Sequence, residues 1–378
     1  MPNPVEKRKY LFISNVDIRN RRGGWDGLGG KIFDLLSDKL GSVRLVEKIN
    51  PPISFYSKAK SKMLRVLHLP ANFPAFTRIR LKRFAGLLKE QVGTDADYLI
   101  FHGSTPWVNY RPEKKYCAIL DCSFITYMEK YHDINSFSKK GIERVRRKEK
   151  AFFENAHRIF FTSDWALRET RKHYGIDGAN FKRIGQGPST NVKVNTAINV
   201  PLKNQFLFIA TDFMGKGGAK VCNAFQQFLK EFPDYELVII GQRPPEIFLQ
   251  GRKINFVGFI NKSTAEGEAQ FEKLYRETKA LLMMTRKDIA PLVILEAGMF
   301  GCPCIANDVS AIGEMVRDKE TGFLIGSTEE DLLKAMTTMA GMNDSEIIEM
   351  RKKATAFISN NFSWEEIIHT MIGSMSEN

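Results

Sequence analysis

The sequence predicts two doubly wound α/β domains in tandem, on three observations. Short, continuous apolar segments of strand type alternate with segments of helical spacing. Those strand segments lack a polar alternation, as strands buried on both faces must. The pattern also restarts after a polar Pro-, Asn- and Thr-bearing stretch near the middle of the 378 residues. The length supplies about two domains at roughly 100 to 200 residues each. A composition of 43% hydrophobic and 26% charged residues excludes disordered, collagenous and coiled-coil chains.

Each element can be placed in turn. YLFIS (10–14) is a strand that opens into the glycine-rich stretch RRGGWDGLGG (21–30), expected to be a loop, and then into KIFDLLSDKL (31–40) with helical spacing. VRLVEKI (43–49), DYLIFHG (97–103), YCAILDC (116–122) and RIFFTS (158–163) repeat the strand type. The polar stretch that follows is the linker candidate, 188–203. Beyond it, 205–211, 236–241, 254–259, 280–285 and 302–307 are expected strands, with amphipathic helices at 219–232 and 271–280. The domains expected are therefore 1–187 and 204–361, with a helix over 362–378 that crosses back to the first. Ligands of such sheets lie beyond the carboxyl ends of the strands, which places a site in the cleft between domains. No apolar run approaches the roughly 18 residues of a membrane span. The start, MPNPVEKRKY, leads into a strand and not into the apolar core of a signal peptide, so a soluble, cytoplasmic chain is expected.

Charge separates the halves. Residues 1–187 hold 36 Lys and Arg against 19 Asp and Glu, and residues 188–378 hold 20 against 24. An excess of this size on one half suits an anionic partner such as a phosphate-rich substrate, an acidic membrane or nucleic acid. Much of it falls in an insertion at about 51–90, where ISFYSKAKSKMLRVLHLP and FTRIRLKRFAGLLKE interleave cations with Phe, Leu, Ile and Met; KKGIERVRRKEK (139–150) adds the same sign. Two helices with solvated basic faces are one reading of the insertion, and a basic amphipathic surface on anionic lipid headgroups is another. Nucleic acid is not expected as a partner, since no recognised binding module accompanies the charge.

The five cysteines (117, 122, 222, 302, 304) are scattered and the six histidines dispersed, so no metal site is expected and the thiols are taken as reduced and mostly buried. Asp95-Ala96-Asp97 imitates a metal-binding D-x-D, but its place before a strand suits a loop or cap. His102, at the end of a strand, suits either a satisfied core position or an acceptor-side role.

The most specific segment is RKDIAPLVILEAGMFGCPCIANDVSAIGEMVRDKETGFLI (286–325). A strand ends near Thr285, a short loop follows, and a helix begins around Pro291, the residue favoured at that position. A helix N-terminus carries roughly half a positive charge and free N–H groups, which suit a phosphate or sugar oxygens. Asp288 lies in the loop and Glu296 inside the helix, so two carboxylates are offered to two sets of ligand hydroxyls.

This segment resembles the signature of the retaining GT-B glycosyltransferases of glycosyltransferase family 4. Glu296-Ala297, Gly301, Pro303, Ile305-Ala306, Glu314 and Thr321-Gly322-Phe323-Leu324 fall in register, and ATDFMGKGG (210–218) resembles the family's phosphate-contacting turn. The resemblance covers the second half well and the first half more loosely. It implies a GT-B fold, two Rossmann-like domains facing across a cleft. The implied activity is transfer of a hexose-like sugar from a nucleoside-diphosphate sugar to a glycan or lipid-linked acceptor, in polysaccharide or lipopolysaccharide synthesis, with no cofactor and no metal.

On the same resemblance, Glu296 holds the ribose hydroxyls, Asp288 meets the donor sugar, and Ala290, Leu292 and Val293 present N–H groups to sugar and phosphate. Lys216 holds the diphosphate, Phe259 and Ile260 seat the base, Gly29 and Gly30 approach the diphosphate, and Asp121 stands beside the donor sugar. Asp288, Lys216, Asp121 and His102 make up the expected catalytic set. The pattern departs from the family at Asp288, where a glutamate is usual, at Ile289-Ala290, and at Thr211, where an arginine often stands. Arg243 or Arg22 could replace that arginine. Two other classes fit part of the pattern: a catalytically inactive GT-B scaffold that binds nucleotide sugar or docks a partner, and an NAD-dependent Rossmann enzyme with Glu47 on the ribose.

Overall fold

The computed structural model describes residues 8–20, 24–93, 95–189, 200–249, 253–262 and 264–377. The chain divides into two compact units, Met1–Gln186 with Glu365–Asn378, and Gly187–Trp364. Most of the linker candidate, 190–199, lies outside the described residues, as does Arg22.

The first unit contains β1 (Tyr10–Ser14), α1 (Gly24–Leu40), β2 (Val43–Val46), α2 (Phe55–Val66), α3 (Arg78–Val92), β3 (Tyr98–His102) and β4 (Lys115–Leu120). It continues with α4 (Phe124–Tyr131), α5 (Lys139–Glu154), β5 (Arg158–Phe161), α6 (Asp164–Tyr174) and β6 (Phe181–Arg183). Its six strands are parallel in the order β2-β1-β3-β4-β5-β6. β1, β3 and β5 are apolar and almost wholly buried, because helices cover both faces of the sheet. The order reverses direction between β1 and β3, so their carboxyl ends, Ser14 and His102, form the switch point where such sheets place ligands.

One expectation fails here. The glycine-rich stretch is not a loop: from Gly24 onward it is helix, and Gly29 and Gly30 are buried inside α1. Its apolar spacing at Leu28, Ile32 and Leu36 extends the helical period upstream, and packing outweighs the low helix propensity of glycine.

The second unit contains β7 (Gln205–Ala210), α7 (Gly218–Phe228), β8 (Glu236–Gly241), β9 (Ile254–Gly258), α8 (Ala265–Glu277) and β10 (Ala280–Met283). After these come α9 (Leu292–Met299), β11 (Cys304–Asn307), β12 (Gly322–Ile325), α10 (Glu329–Gly341) and α11 (Asp344–Asn361). The sheet is again parallel, ordered β12-β11-β10-β7-β8-β9, and its switch point lies between β7 and β10. Capping boxes start α10 (Thr328 with Asp331) and α11 (Asn343 with Glu346), each satisfying otherwise unpaired first-turn N–H groups. The edge strands β6 and β12 go beyond the sequence prediction. They are three and four residues long and only partly buried; β6, FKR, carries no apolar run, and β12, GFLI, is too short to stand out as one.

α12 (Trp364–Ser376) completes the first unit. Ile367, Ile368, Met371 and Met375 form its buried stripe. The Arg8 guanidinium donates to the Met375 carbonyl at 3.3 Å, and Arg158 pairs with Glu377 at 2.9 Å. Among the described residues no helix is long and apolar enough to cross a membrane. All five cysteines are free, and every one except Cys122 is buried.

Candidate functional site

The second unit's site grows from the turn that leaves β7. Asp212 caps this turn, its carboxylate accepting from the Gly215 N–H at 2.9 Å while the Lys216 N–H donates to its carbonyl. Gln242, just past β8, accepts from the Phe213 N–H at 2.7 Å and ties the turn to the neighbouring strand. Gly217 then turns the chain into α7 with φ of +81°, and a Cβ there would lie 2.1 Å from the Met284 carbonyl oxygen. Only glycine fits both conditions. With its backbone fixed this way, Lys216 reaches the loop after β10 and pairs with the Oδ1 of Asp288.

Asp288 is placed by its own turn. Its N–H donates to the Thr285 hydroxyl at 3.2 Å, and the Thr285 carbonyl accepts from Asn307 at 2.8 Å. The Oδ2 of Asp288 is buried and has no hydrogen-bond partner among the described residues. A carboxylate oxygen left bare beside a cation is an acceptor suited to a ligand hydroxyl. Just beyond, Pro291 caps α9 without a side-chain hydrogen bond, so the first-turn N–H groups, including Leu292 and Val293, have no side-chain cap. Ala290 and both of these residues are half-buried.

Glu296 sits one turn further along α9 and is 1% exposed. Its carboxylate accepts from the Lys262 ammonium, the Ser189 hydroxyl and the Tyr275 phenol, the last at 3.2 Å. Burial, and then the neighbouring Glu296 charge, holds the Tyr275 phenol well above its usual pKa, so it stays protonated and donates. Lys262 also lies over the Phe271 ring at 4.5 Å. Sequence reasoning missed Lys262, Ser189, Tyr275, Asp212 and Gln242. The available signal was position: Lys262, Asp212 and Gln242 all lie just past the carboxyl ends of predicted strands.

Beyond β9, Phe259 is 67% exposed while Ile260 is buried, so an aromatic face is presented next to a fixed backbone. Arg243 pairs with Glu246 at 3.3 Å and lies over Phe256. A shallow cavity of about 480 Å³ lined by Lys203, Tyr235 and Lys253 lies at the amino ends of β7, β8 and β9, opposite the switch point.

In the first unit the switch point is packed shut. His102 is fully buried, with its Nδ1 3.2 Å from the Ser14 hydroxyl and its ring stacked on Trp25 at 4.0 Å. Burial pushes its pKa down to about 3, so the ring is neutral. A Cβ on Gly29 would lie 2.6 Å from this ring, which is why α1 carries glycine there. Two corrections follow: His102 is a core residue and not a catalytic one, because no part of it is reachable, and Gly29 makes room for an imidazole and not for a diphosphate. Gly30 is buried in the same helix. The D-x-D imitation is resolved as well: Asp97 accepts from the Lys9 N–H at 2.9 Å and Asp95 pairs with Arg44 at 3.4 Å.

Asp121, just past β4, is half-buried, and burial pushes its carboxyl up to about 6. A folded pKa above the unfolded one contributes stability that is fully present below about pH 4 and lost as pH rises through about 6. Asp121→Asn is therefore expected to raise stability at pH 7 by about 1 to 3 kcal/mol and to flatten the pH 4–7 stability profile. Denaturant unfolding at several pH values checks this; an unchanged profile would remove Asp121 as the source.

Comparison with known proteins finds a family match over part of the chain. Residues 203–341 match the family model for glycosyl transferases group 1. That match takes in the Lys216 turn, Asp288 and Glu296. The chain is 28% identical over 174 residues, 45% of each chain, to a Klebsiella pneumoniae protein described as an uncharacterized 41.2 kDa protein in the cps region. It spans about half the length of the curated relatives it matches. Its structure is similar to sucrose-phosphate synthase from Thermosynechococcus elongatus, with a TM-score of 0.71, 17% identity and coverage of 97% and 98% of the two chains. It is also similar to Anabaena HepE in complex with UDP and glucose, with a TM-score of 0.65, 14% identity and coverage of 98% and 100%. The group 1 match and these structures establish the GT-B fold, two Rossmann-like units, that the sequence predicts.

Proposed function

We propose that the protein is a glycosyltransferase that moves a hexose-like sugar from a nucleoside-diphosphate sugar to a glycan or lipid-linked acceptor, with retention of configuration. One observation carries the reading: Lys216 and Asp288 meet at the β7/β10 switch point, with Glu296 one α9 turn away, inside the segment that matches the group 1 family. Lys216 and the α9 N-terminus hold the diphosphate, the bare Asp288 oxygen takes a sugar hydroxyl, Glu296 takes the ribose hydroxyls, and Phe259 with the Ile260 backbone seats the base. The likeness to a protein solved with UDP and glucose supports a donor of this class. The likeness to WaaG, a glycosyltransferase involved in lipopolysaccharide biosynthesis, supports a glycan or lipid-linked acceptor.

As the glycosidic bond breaks, negative charge gathers on the diphosphate, where Lys216 and the helix N–H groups stabilise it. The acceptor hydroxyl attacks on the leaving-group face, and its proton passes to the departing phosphate oxygen. No step is assigned to a cofactor or a metal. The basic first unit carries the acceptor side, with Asp121 as its carboxylate, and works on the cytoplasmic face of an anionic membrane.

A thermal-shift screen of UDP, GDP, ADP and TDP sugars tests the reading, because a ligand at a hundred times its Kd stabilises by about 2.7 kcal/mol. One nucleotide class is expected to shift the unfolding transition, and the same shift and turnover should persist in excess EDTA. A protein that no nucleotide sugar stabilises would overturn the proposal; inhibition by EDTA that magnesium reverses would overturn its metal-free mechanism.

A further inference from the structure

Helix α2 is an unusual element for a folded domain. Among its described side chains only Ser61 is buried, held by a hydrogen bond from its hydroxyl to the Asn72 carbonyl at 2.9 Å. Large apolar side chains point away from the protein instead: Phe55 is 86% exposed, Tyr56 71%, Met63 55% and Val66 71%. Leu67, Leu69 and Ile79 are exposed as well, so seven of the ten exposed large hydrophobics among the described residues lie between 55 and 79.

Their arrangement on the helix is ordered. At 3.6 residues per turn, Phe55, Tyr56, Ala59, Met63 and Val66 fall within an arc of about 100°. Ser57, Ser61 and Leu64 occupy the opposite side, towards the protein. Lys58 and Lys62 flank the apolar arc on one shoulder and Lys60 on the other, all exposed, with the Lys60 ammonium 5.9 Å from the Tyr56 ring centroid. An outward apolar stripe with ammonium groups on both shoulders is complementary to a bilayer, with acyl chains for the stripe and anionic headgroups for the cations.

The neighbouring basic helix is built differently. Arg80 of α3 turns inward, donating to the Pro51 carbonyl at 2.7 Å, the Ala75 carbonyl and the Asn50 side chain. It is a structural clamp, and the exposed Arg78, Lys82 and Arg83 are left without an apolar stripe of comparable size beside them. Arg80 therefore does not share a solvated face with Arg78, Lys82 and Arg83.

We propose that α2 lies in the headgroup layer of an anionic membrane and inserts Phe55, Tyr56, Met63 and Val66 below it. The inference rests on the reading that the first unit serves a lipid-linked acceptor, and it names the element that meets the lipid. Cosedimentation with vesicles of equal parts phosphatidylglycerol and phosphatidylcholine, against phosphatidylcholine alone, is the test. The wild-type protein is expected to bind only the anionic vesicles. Phe55→Ser/Tyr56→Ser/Met63→Ser should lower the bound fraction roughly tenfold at the same salt, and Lys58→Gln/Lys60→Gln/Lys62→Gln should abolish the salt dependence. Because these side chains are exposed, circular dichroism and thermal midpoint should match wild type. A Phe55→Trp reporter should shift its emission to the blue on anionic vesicles, as a buried indole does. Binding by the serine variant equal to wild type, or binding with no blue shift, overturns the insertion. So does a concentration-dependent dimer without vesicles that the serine variant abolishes, which would give the stripe to a second copy of the chain. Nucleotide binding measured in parallel separates the two proposals. Vesicle binding by a protein that binds no nucleotide sugar would leave α2 as a membrane element and overturn the glycosyltransferase reading.

Discussion

Lys216→Ala is expected to lower turnover about 100- to 1,000-fold, the range found when one preorganised donor to developing charge is removed. Its ammonium sits beside Asp288 in a partly buried turn, 25% exposed against 14%, so a diphosphate bound there would meet it in a setting less screened than bulk water. Donor affinity should fall less than turnover, because charge on the leaving diphosphate grows as the bond breaks. The substitution also strips Asp288 of its cation, and the loss of stability is expected to be about 1 kcal/mol. Asp288→Asn separates these effects. Alone it removes a negative charge from the diphosphate's surroundings, so bare nucleoside diphosphate should bind several-fold tighter while the nucleotide sugar does not. Combined with Lys216→Ala it should restore the thermal midpoint without restoring turnover. Steady-state kinetics and calorimetry on the four proteins form the cycle. A fall of less than tenfold in turnover for Lys216→Ala would show that the lysine only binds the ground state.

Much of this site is legible in the sequence because doubly wound sheets oblige it to be. Strands buried on both faces must be continuous apolar runs, and functional groups must follow their carboxyl ends. Asp288 and Glu296 could therefore be placed from 280–285 and the helix after Pro291, whereas Lys216 came from the resemblance of 210–218 to a phosphate-contacting turn. Pairing is not legible in the same way. Nothing in the spacing of Glu296 announces Lys262 or Ser189, which lie 34 and 107 residues away and meet it only through the fold. The glycine-rich stretch misled for the complementary reason. Gly29 is absent a side chain because His102, 73 positions on, fills the space above it, and a one-dimensional pattern shows the glycine without its cause. The basic insertion was legible as amphipathic, but which of its cations face solvent depended on Arg80 finding three backbone and side-chain oxygens at Asn50, Pro51 and Ala75.

Glu296→Gln tests whether the buried carboxylate serves the ligand or only the fold. Three donors converge on it, and a glutamine amide would present N–H groups to at least one of them. A stability loss of about 1 to 3 kcal/mol is therefore expected, limited because Lys262 is 30% exposed and can rehydrate. Nucleotide-sugar binding is expected to weaken by a similar 1 to 3 kcal/mol, since a charged acceptor for the ribose hydroxyls is lost. Lys262→Met is the control that tells the two effects apart. It also breaks the buried pair and should lower the thermal midpoint, but it leaves the carboxylate in place and removes the ammonium that competes with the ribose for it. Nucleotide affinity in Lys262→Met should then equal or exceed that of wild type. Equal losses of nucleotide affinity in Glu296→Gln and Lys262→Met, measured by calorimetry well below both midpoints, would mean that Glu296 acts through the stability of α9 and not through contact with the ribose.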